Sequence, residues 1–217
     1  MSPDQLLTLW FADTVTDAQA ADKRYAFWFE ASPDTDALIR DRCAGLYAQA
    51  RDGELDAWQT TARSCLALIV ALDQLPRNLF RGTPAAFGTD PQAQRLCQYG
   101  LDNTYLAQLA PAEQAFFLMP LQHAEDLALQ RESVRRCETL LAPATPDWRA
   151  FLESWLGFAQ KHLSIIQRFG RFPHRNVILG RRSTPDEQAF LDSGSGSFGQ
   201  APAAGTDRPG PGSPDPS

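Results

Sequence analysis

The sequence lacks any long apolar run. No stretch approaches the roughly 18 consecutive apolar residues that a membrane-spanning helix needs, so no membrane span is expected. The opening Met1-Ser2-Pro3-Asp4 has no basic residue before the first short apolar stretch, which disfavours a signal peptide. The phosphate-loop motif and the G-x-S-x-G motif of serine hydrolases are also absent. We therefore expect a cytoplasmic protein that follows neither of these common catalytic patterns.

Cysteine is scarce, and its spacing excludes the usual thiolate sites. The four cysteines form no C-x-x-C pair, which argues against a zinc site or a redox pair built on them. Each falls inside a predicted helix, so we expect buried, reduced thiols. These residues are Cys43, Cys65, Cys97 and Cys137. No cofactor is predicted.

Positive charge is in the minority overall but is concentrated near the C-terminal end. Lys and Arg number 20 against 26 Asp and Glu, and the net charge of -6 disfavours a general nucleic-acid-binding role, which needs many phosphate contacts by Lys and Arg. Residues 154–185 nevertheless contain no acidic residue. Their cations are Lys161, Arg168, Arg171, Arg175, Arg181 and Arg182. Such a cluster can bind an anionic ligand, or it can pair with the protein's own Asp73, Glu125 and Asp126.

Apolar periodicity throughout the chain is helical, and no alternating β-branched run occurs. We predict a single all-α domain over residues 1–192, in which antiparallel helix pairs form a compact array. One helix is predicted over residues 56–75, and another is predicted to begin at Pro120. Residues 193–217 hold six glycines and five prolines, and this composition predicts a disordered tail.

Two similar polar segments follow apolar helical runs. The first loop motif (residues 72–81) reads LDQLPRNLFR, and the second loop motif (residues 168–181) reads RFGRFPHRNVILGR. Each has a proline and then an Arg-Asn pair. Asp73 lies in line with the apolar stripe of its helix, so it needs a cationic partner such as Arg77 or an arginine of the second loop motif. Such a partner would either lock the fold or help to hold a ligand.

The histidines lie in or near the polar segments. His162 falls in the apolar stripe of a predicted helix, where it is either a core residue or a ligand contact. His123 and Asp126 share one face of the helix predicted from Pro120, but a metal site would need a third ligand such as His162 or His174. We therefore predict no metal site.

Three segments together resemble a known family. They are the start of the first loop motif, the central motif PLQHAED (residues 120–126) and the start of the second loop motif. They are similar to the signature segments of the bacterial domain-of-unknown-function family 924, over about residues 3 to 198. The resemblance implies a compact, TPR-like helical domain, and it implies no assigned reaction or catalytic residue. Ala124 stands where many members have Ser, which puts any hydroxyl-dependent chemistry beside His123 in doubt.

These observations predict that the motifs converge on one concave polar site. We predict that it binds a small anionic or polar ligand, and the alternative is a scaffold that docks a peptide or protein without catalysis. Both an enzyme and a binding protein agree with these residues. The candidates for proton transfer are His123, Glu125, His162 and His174. The predicted ligand-binding residues are Asp73, Gln74, Arg77, Asn78, Arg81, Asp126, Arg171, Arg175 and Asn176.

Overall fold

The structure, a computed structural model, describes residues 1–194. Within this range the chain forms helices, turns and connections but no strand, which confirms the predicted all-α fold. The α-helices are α1 (Pro3–Phe11), α2 (Ala18–Phe29), α3 (Pro33–Arg51), α4 (Ala62–Ile69), α5 (Leu75–Leu79), α6 (Asp90–Asp102), α7 (Pro111–Gln122), α8 (Leu127–Leu141), α9 (Pro146–Phe169) and α10 (Pro185–Asp192).

Helix starts follow their local capping residues. The Ser2 hydroxyl accepts a hydrogen bond from the Gln5 backbone N–H at 3.2 Å, and the Gln5 side chain accepts one from the Ser2 N–H at 2.8 Å. This capping box satisfies two donors at the start of α1. Ser32 caps α3 in a similar way, and Thr184 and Glu187 form a second capping box at α10. Each of these helices has a proline in its first turn, where the missing N–H costs nothing.

The core is organised around α7. This helix is apolar on nearly all sides, as expected for a helix surrounded by others. Phe116 is fully buried at its centre. Its ring centroid lies 4.8 Å from Trp28 and 5.4 Å from Trp155, so α2, α7 and α9 meet in one aromatic cluster. Aromatic pairs at such distances contribute about 0.5–1.5 kcal/mol each beyond their buried area.

The predicted continuous helix over residues 56–75 is wrong. Residues Asp56–Thr60 form a 3-10 turn, α4 starts after the Thr61 cap, and Val70–Gln74 form a π-helical turn. Pro76 has no N–H to donate to the carbonyl of Leu72, four positions earlier. The hydroxyl of Thr89 donates to that carbonyl instead, at 2.5 Å. The wide turn is therefore stabilised from outside the helix, by the residue that precedes α6.

The helix predicted to begin at Pro120 is also wrong, because Pro120 lies inside α7. That helix ends at Gln122, and α8 begins only at Leu127, where the Asp126 carboxylate accepts from the Leu129 N–H at 2.9 Å. The central motif is thus the end of one helix and a short connection. His123 and Asp126 do not share a helical face.

The C-terminal boundary of the described structure lies just beyond α10. This helix ends at Asp192, the last residue of the predicted domain. The predicted disordered tail lies outside the described residues, except for Ser193 and Gly194. Within residues 1–194, no helix combines the length and the apolarity needed to cross a bilayer.

Candidate functional site

A cavity of about 340 Å³ lies between α2, α5, α7, α9 and the second loop motif. One wall is aromatic and comes mainly from α2 and α9. The other lining residues, which form the polar wall, are mostly polar and come mainly from the two loop motifs and the end of α7. The described lining residues are Tyr25, Trp28, Phe29, Gln74, Arg77, Asn78, Arg81, Phe87, Met119, Gln122, His123, Trp155, Phe158, Lys161, His162, Phe172, His174, Arg175 and Gly194.

Asp73 and His123 form a hydrogen-bonded pair at the polar wall. Asp73 is fully buried, and its Oδ1 lies 2.8 Å from His123 Nδ1. The Gln74 side-chain amide donates to the other carboxylate oxygen. Burial alone would raise the pKa of Asp73, but His123, Arg77 and Gln74 outweigh it and hold that pKa below its ordinary value. Asp73 is therefore a carboxylate that accepts a hydrogen bond from the imidazole.

Arg77 and Arg175 share the carboxylate of Asp90. Arg77 Nη2 lies 2.7 Å from Asp90 Oδ1, and Arg175 Nη1 lies 3.1 Å from Asp90 Oδ2. Arg77 also lies 3.5 Å from Asp73 and donates to the carbonyl of Ala86. We call Arg77, Asp90 and Arg175 the arginine clamp. It joins the two loop motifs through a residue of α6.

The arginine clamp also fixes the central motif. Arg175 Nη2 donates to the main-chain carbonyl of His123 at 3.1 Å. The guanidinium of Arg175 lies 4.5 Å from the Phe87 ring centroid and 4.8 Å from that of Phe172. Burial lowers the pKa of Arg175 to about 10, so this side chain still carries its charge at neutral pH. For Arg77, burial would lower the pKa, but Asp90 and Asp73 outweigh it and raise that pKa.

Asn78 and Arg81 bind a different carboxylate, that of Asp36 on α3. Arg81 makes two contacts of 2.8 Å with Asp36, and the Asn78 amide donates to it at 2.9 Å. Burial tends to raise the pKa of Asp36, but the hydrogen bonds from Arg81 and Asn78 lower it overall. These contacts hold the end of α5 against α3 beside the cavity.

His162 and His174 are neutral imidazoles. Burial lowers the pKa of each to about 3. His162 Nδ1 lies 2.8 Å from the carbonyl of Phe158, which only accepts, so Nδ1 carries the proton and Nε2 carries the lone pair. The rings of His123 and His162 are 6.2 Å apart. Within residues 1–194, no group of three or more His, Cys, Asp or Glu side chains is arranged to hold a metal ion.

Some predicted site residues lie elsewhere. Glu125 binds Arg181 at 2.6 and 2.9 Å and accepts a hydrogen bond from the Phe172 N–H. It therefore links two distant positions of the second loop motif. Burial would raise the pKa of Glu125, and these contacts outweigh it and lower that pKa. Asp126 caps α8 and forms no ion pair among the described residues, contrary to the expectation that it holds an arginine.

Glu187 binds two more of the predicted site residues. Arg171 binds it at 2.7 and 2.8 Å, and the Asn176 amide donates to it at 3.2 Å. These contacts, led by the Arg171 hydrogen bond, lower the pKa of Glu187 to about 2. Glu125, Asp126, Arg171 and Asn176 therefore support the loops around the cavity and do not line it. Asp73, predicted to bind ligand, does not line it either and reaches the cavity only through its hydrogen bond with His123. The predicted residues that do line it are Gln74, Arg77, Asn78, Arg81, His123, His162, His174 and Arg175.

Other important residues were not among those predicted. The sequence around Asp90, between Thr89 and Pro91, gives no sign of its two arginine partners. Asp36 lies in the first turn of α3, and nothing near it in the sequence indicates its partner Arg81. Gln122 lines the cavity, and its buried Nε2 has no hydrogen-bond partner among the described residues. The aromatic wall was visible in the sequence only as apolar helix stripes.

Comparison with known proteins agrees with this architecture. A search of the curated proteins finds no match for this chain. A solved structure, the protein of unknown function ATU0120 from Agrobacterium tumefaciens, is similar with 34% identity and a TM-score of 0.69. The similarity covers 81% of this chain and 98% of that protein. Residues 6–195 match the model of a family described as bacterial protein of unknown function, DUF924. The chain therefore belongs to the DUF924 family.

Proposed function

We propose that the cavity binds a small molecule with an apolar part and one polar or anionic end. The observation that supports this most directly is the meeting of both loop motifs and the central motif at one cavity. Its volume falls in the range of about 300–1,000 Å³ that is typical of small-molecule sites. The division into an aromatic wall and a polar wall fits a ligand of the same two-sided character.

The charged side chains around the cavity indicate which kind of polar group on a ligand would fit there. Arg77 and Arg175 already bind Asp90, and Arg77 also faces Asp73, so most of their charge is neutralised within the protein. A phosphate would have to compete with these carboxylates for the same guanidinium groups. Lys161 adds a cationic side chain where α9 borders the cavity. A carboxylate or a neutral polar group therefore suits the site better than a multiply charged anion.

The aromatic wall supplies the affinity in this proposal. Trp28, Phe29, Trp155 and Phe158 line it, and α2 and α9 hold them through the cluster around Phe116. Aromatic side chains bury large areas with little loss of side-chain freedom. A flat ring or a short acyl chain would pack against them and place its polar end at the loop motifs.

Thermal unfolding against a library of small carboxylic acids and neutral aromatic metabolites tests the proposal. A ligand present at about 100 times its dissociation constant adds about 2.7 kcal/mol to the free energy of unfolding, which raises the melting temperature measurably. Lys161→Glu should weaken binding of an anionic ligand several-fold. Arg168→Glu is the matched control, because Arg168 lies two helical turns further along α9 and does not line the cavity.

Two results would count against a small-molecule site. One is the absence of any shift across the library. The other is a shift that Lys161→Glu and Arg168→Glu reduce equally, because a general charge effect would then explain it. Either result would favour the alternative function, a scaffold that docks a peptide or protein.

We also propose that the protein is located in the cytoplasm, since four buried free cysteines are typical of a reducing compartment.

A further inference from the structure

The cavity offers a base but no ordinary nucleophilic side chain. No Ser, Thr or Cys occurs among the described residues that line it. All four cysteines are buried elsewhere, and burial raises the pKa of Cys65 and of Cys137 to about 12, so neither is a thiolate at neutral pH. Ala124 beside His123 has no hydroxyl. With no Ser, Thr or Cys in the lining, the simplest nucleophile for this base to activate is a water molecule that enters from solvent.

His123 is held in one tautomer. Asp73 is a carboxylate and only accepts, so the imidazole proton lies on Nδ1, which is 2.8 Å from Asp73 Oδ1. Nε2 is then the ring nitrogen left for a molecule in the cavity, and in the neutral ring it carries a lone pair. The main chain is fixed as well, because Arg175 donates to the His123 carbonyl at 3.1 Å.

The neighbours of this pair have little freedom to rearrange. Asp73 is fully buried and also contacts Gln74 and Arg77. A carboxylate held in this way orients the imidazole and stabilises the cation that forms when Nε2 takes a proton. His162 and His174 remain neutral, so they add no charge that would compete with the new imidazolium.

We propose that His123 is a general base that activates water for the hydrolysis of a small carboxylic ester, with Asp73 as its positioning residue. This rests on the proposed function, because the ester must occupy the same cavity. The aromatic wall takes the acyl or aryl part of the ester, and the polar wall takes its carbonyl. Hydrolysis then yields a carboxylate, which is the kind of anionic end that the binding site suits.

The step balances without any further reactant. Nε2 of His123 removes a proton from water while the water oxygen forms a bond to the carbonyl carbon. The carbonyl electron pair moves to the oxygen, and the positive charge of Lys161, which lines the cavity, favours the resulting anion. The electron pair on that oxygen then re-forms the carbonyl bond, the carbon–oxygen bond to the leaving group breaks, and the imidazolium returns its proton to the leaving oxygen. The products are an acid and an alcohol, and His123 is neutral again.

Hydrolysis of a series of 4-nitrophenyl esters from acetate to hexanoate tests this step with the full-length protein. General base catalysis is typically worth about 10²- to 10⁴-fold in rate, so His123→Gln should lose a factor in this range. Asp73→Asn should lower kcat more than it changes KM. Arg168→Gln lies outside the cavity and should keep the wild-type rate.

Chemical rescue separates catalysis from folding. In His123→Ala, added imidazole should restore part of the rate beyond the rate that imidazole alone gives without protein, and a merely structural role would not allow this excess. Nitrogen NMR of the His123 ring should show the proton on Nδ1 in the wild type and a changed tautomer balance in Asp73→Asn. Equal rates for wild type and His123→Gln, or a loss in His123→Ala that imidazole does not restore, would overturn the assignment.

The same protein samples show whether only the proposed hydrolysis fails or whether the proposed ligand binding fails as well. Hexanoate and 4-nitrophenol, the products of one ester, are added separately in thermal unfolding. If either product raises the melting temperature but no ester is turned over faster than in buffer, the site stands and the general base is refuted. If neither the two products nor the library of acids raises the melting temperature, the proposal that the cavity binds a small molecule is refuted.

Discussion

Asp90 Oδ2 lies 3.1 Å from Arg175 Nη1, although 85 positions separate the two residues in the chain. The other oxygen of the same carboxylate binds Arg77. One side chain of α6 therefore connects the two loop motifs through their arginines at the polar wall of the cavity.

Replacing Asp90 should destabilise the protein strongly. Asp90→Asn leaves two guanidinium groups close together in a mostly buried place without their shared carboxylate. Removing one partner of a buried ion pair typically costs about 3–5 kcal/mol. Urea unfolding measures the difference. Asp102→Asn, at the exposed end of α6, is the control and should stay within about 0.5 kcal/mol of the wild type. A similarly small change in Asp90→Asn would mean that the arginine clamp does not stabilise the fold.

The Thr89 hydroxyl should stabilise the π-helical turn. Thr89→Val keeps the shape of the side chain but leaves the carbonyl of Leu72 without its donor. An unsatisfied buried carbonyl costs about 1–3 kcal/mol, which urea unfolding resolves. Thr83→Val removes a hydroxyl that donates to Phe80 at an exposed position, so its effect should be much smaller. Equal effects of the two substitutions would show that Thr89 has no special role.

The buried histidines should make stability fall as the solution becomes mildly acidic. The folded-state pKa of His162 and His174 is about 3, below the ordinary value of 6.5. Between these values the unfolded chain binds protons that the folded protein does not. Stability is therefore complete above about pH 6.5 and is lost as the pH falls toward 3, by up to about 1.4 kcal/mol per pH unit for each histidine.

Urea unfolding between pH 7.5 and 5 isolates this effect, since most carboxylates titrate at lower pH. His162→Gln should reduce the slope of stability against pH in that window. Ser164→Ala, an exposed change on the same helix, should leave the slope as it is. A slope unchanged in His162→Gln would show that this imidazole is not held neutral.

Gly100 lies against Phe117 with no space for a side chain. A Cβ atom at Gly100 would lie 2.3 Å from Phe117 Cζ, and Phe117 is fully buried, so its ring has little room to move. Gly100→Ala should therefore cost about 1–3 kcal/mol through overpacking. Gly157→Ala in α9 meets no atom within 4 Å and should instead stabilise by about 0.5–1 kcal/mol. Calorimetry of both variants should give shifts of opposite sign.

Local signals were enough to predict where several of the helices start. Ser2, Ser32 and Thr184 start helices because a capping hydroxyl followed by proline is satisfied within four residues. The two wrong helix predictions have different causes. Pro120 was interpreted as a helix start, but it lies inside α7. The prediction over residues 56–75 missed the 3-10 turn at Asp56–Thr60 and the π-helical turn at Val70–Gln74, where the Thr89 hydroxyl donates to the carbonyl of Leu72.

The site could be predicted only in part. Asp73 needed a cation because of its place in an apolar stripe, and Arg77 lies one turn away, so local spacing indicated that pair. Asp90 and Asp36 find their arginines across the fold, and no spacing along the chain encodes those distances. Arg171 and Arg175 look equivalent in the sequence. In the structure, however, Arg171 binds Glu187, whereas Arg175 binds Asp90 and lines the cavity.

The π-helical turn at Val70–Gln74 also determines the direction in which the side chains of the following helix, α5, project. One extra residue in a turn rotates the following side chains by about 100° relative to an uninterrupted α-helix. Gln74, Arg77, Asn78 and Arg81 reach the cavity in this rotated register. Deleting a single residue from the turn would give a more regular helix that presents the wrong side chains to the cavity, so the irregularity itself is what aligns the polar wall.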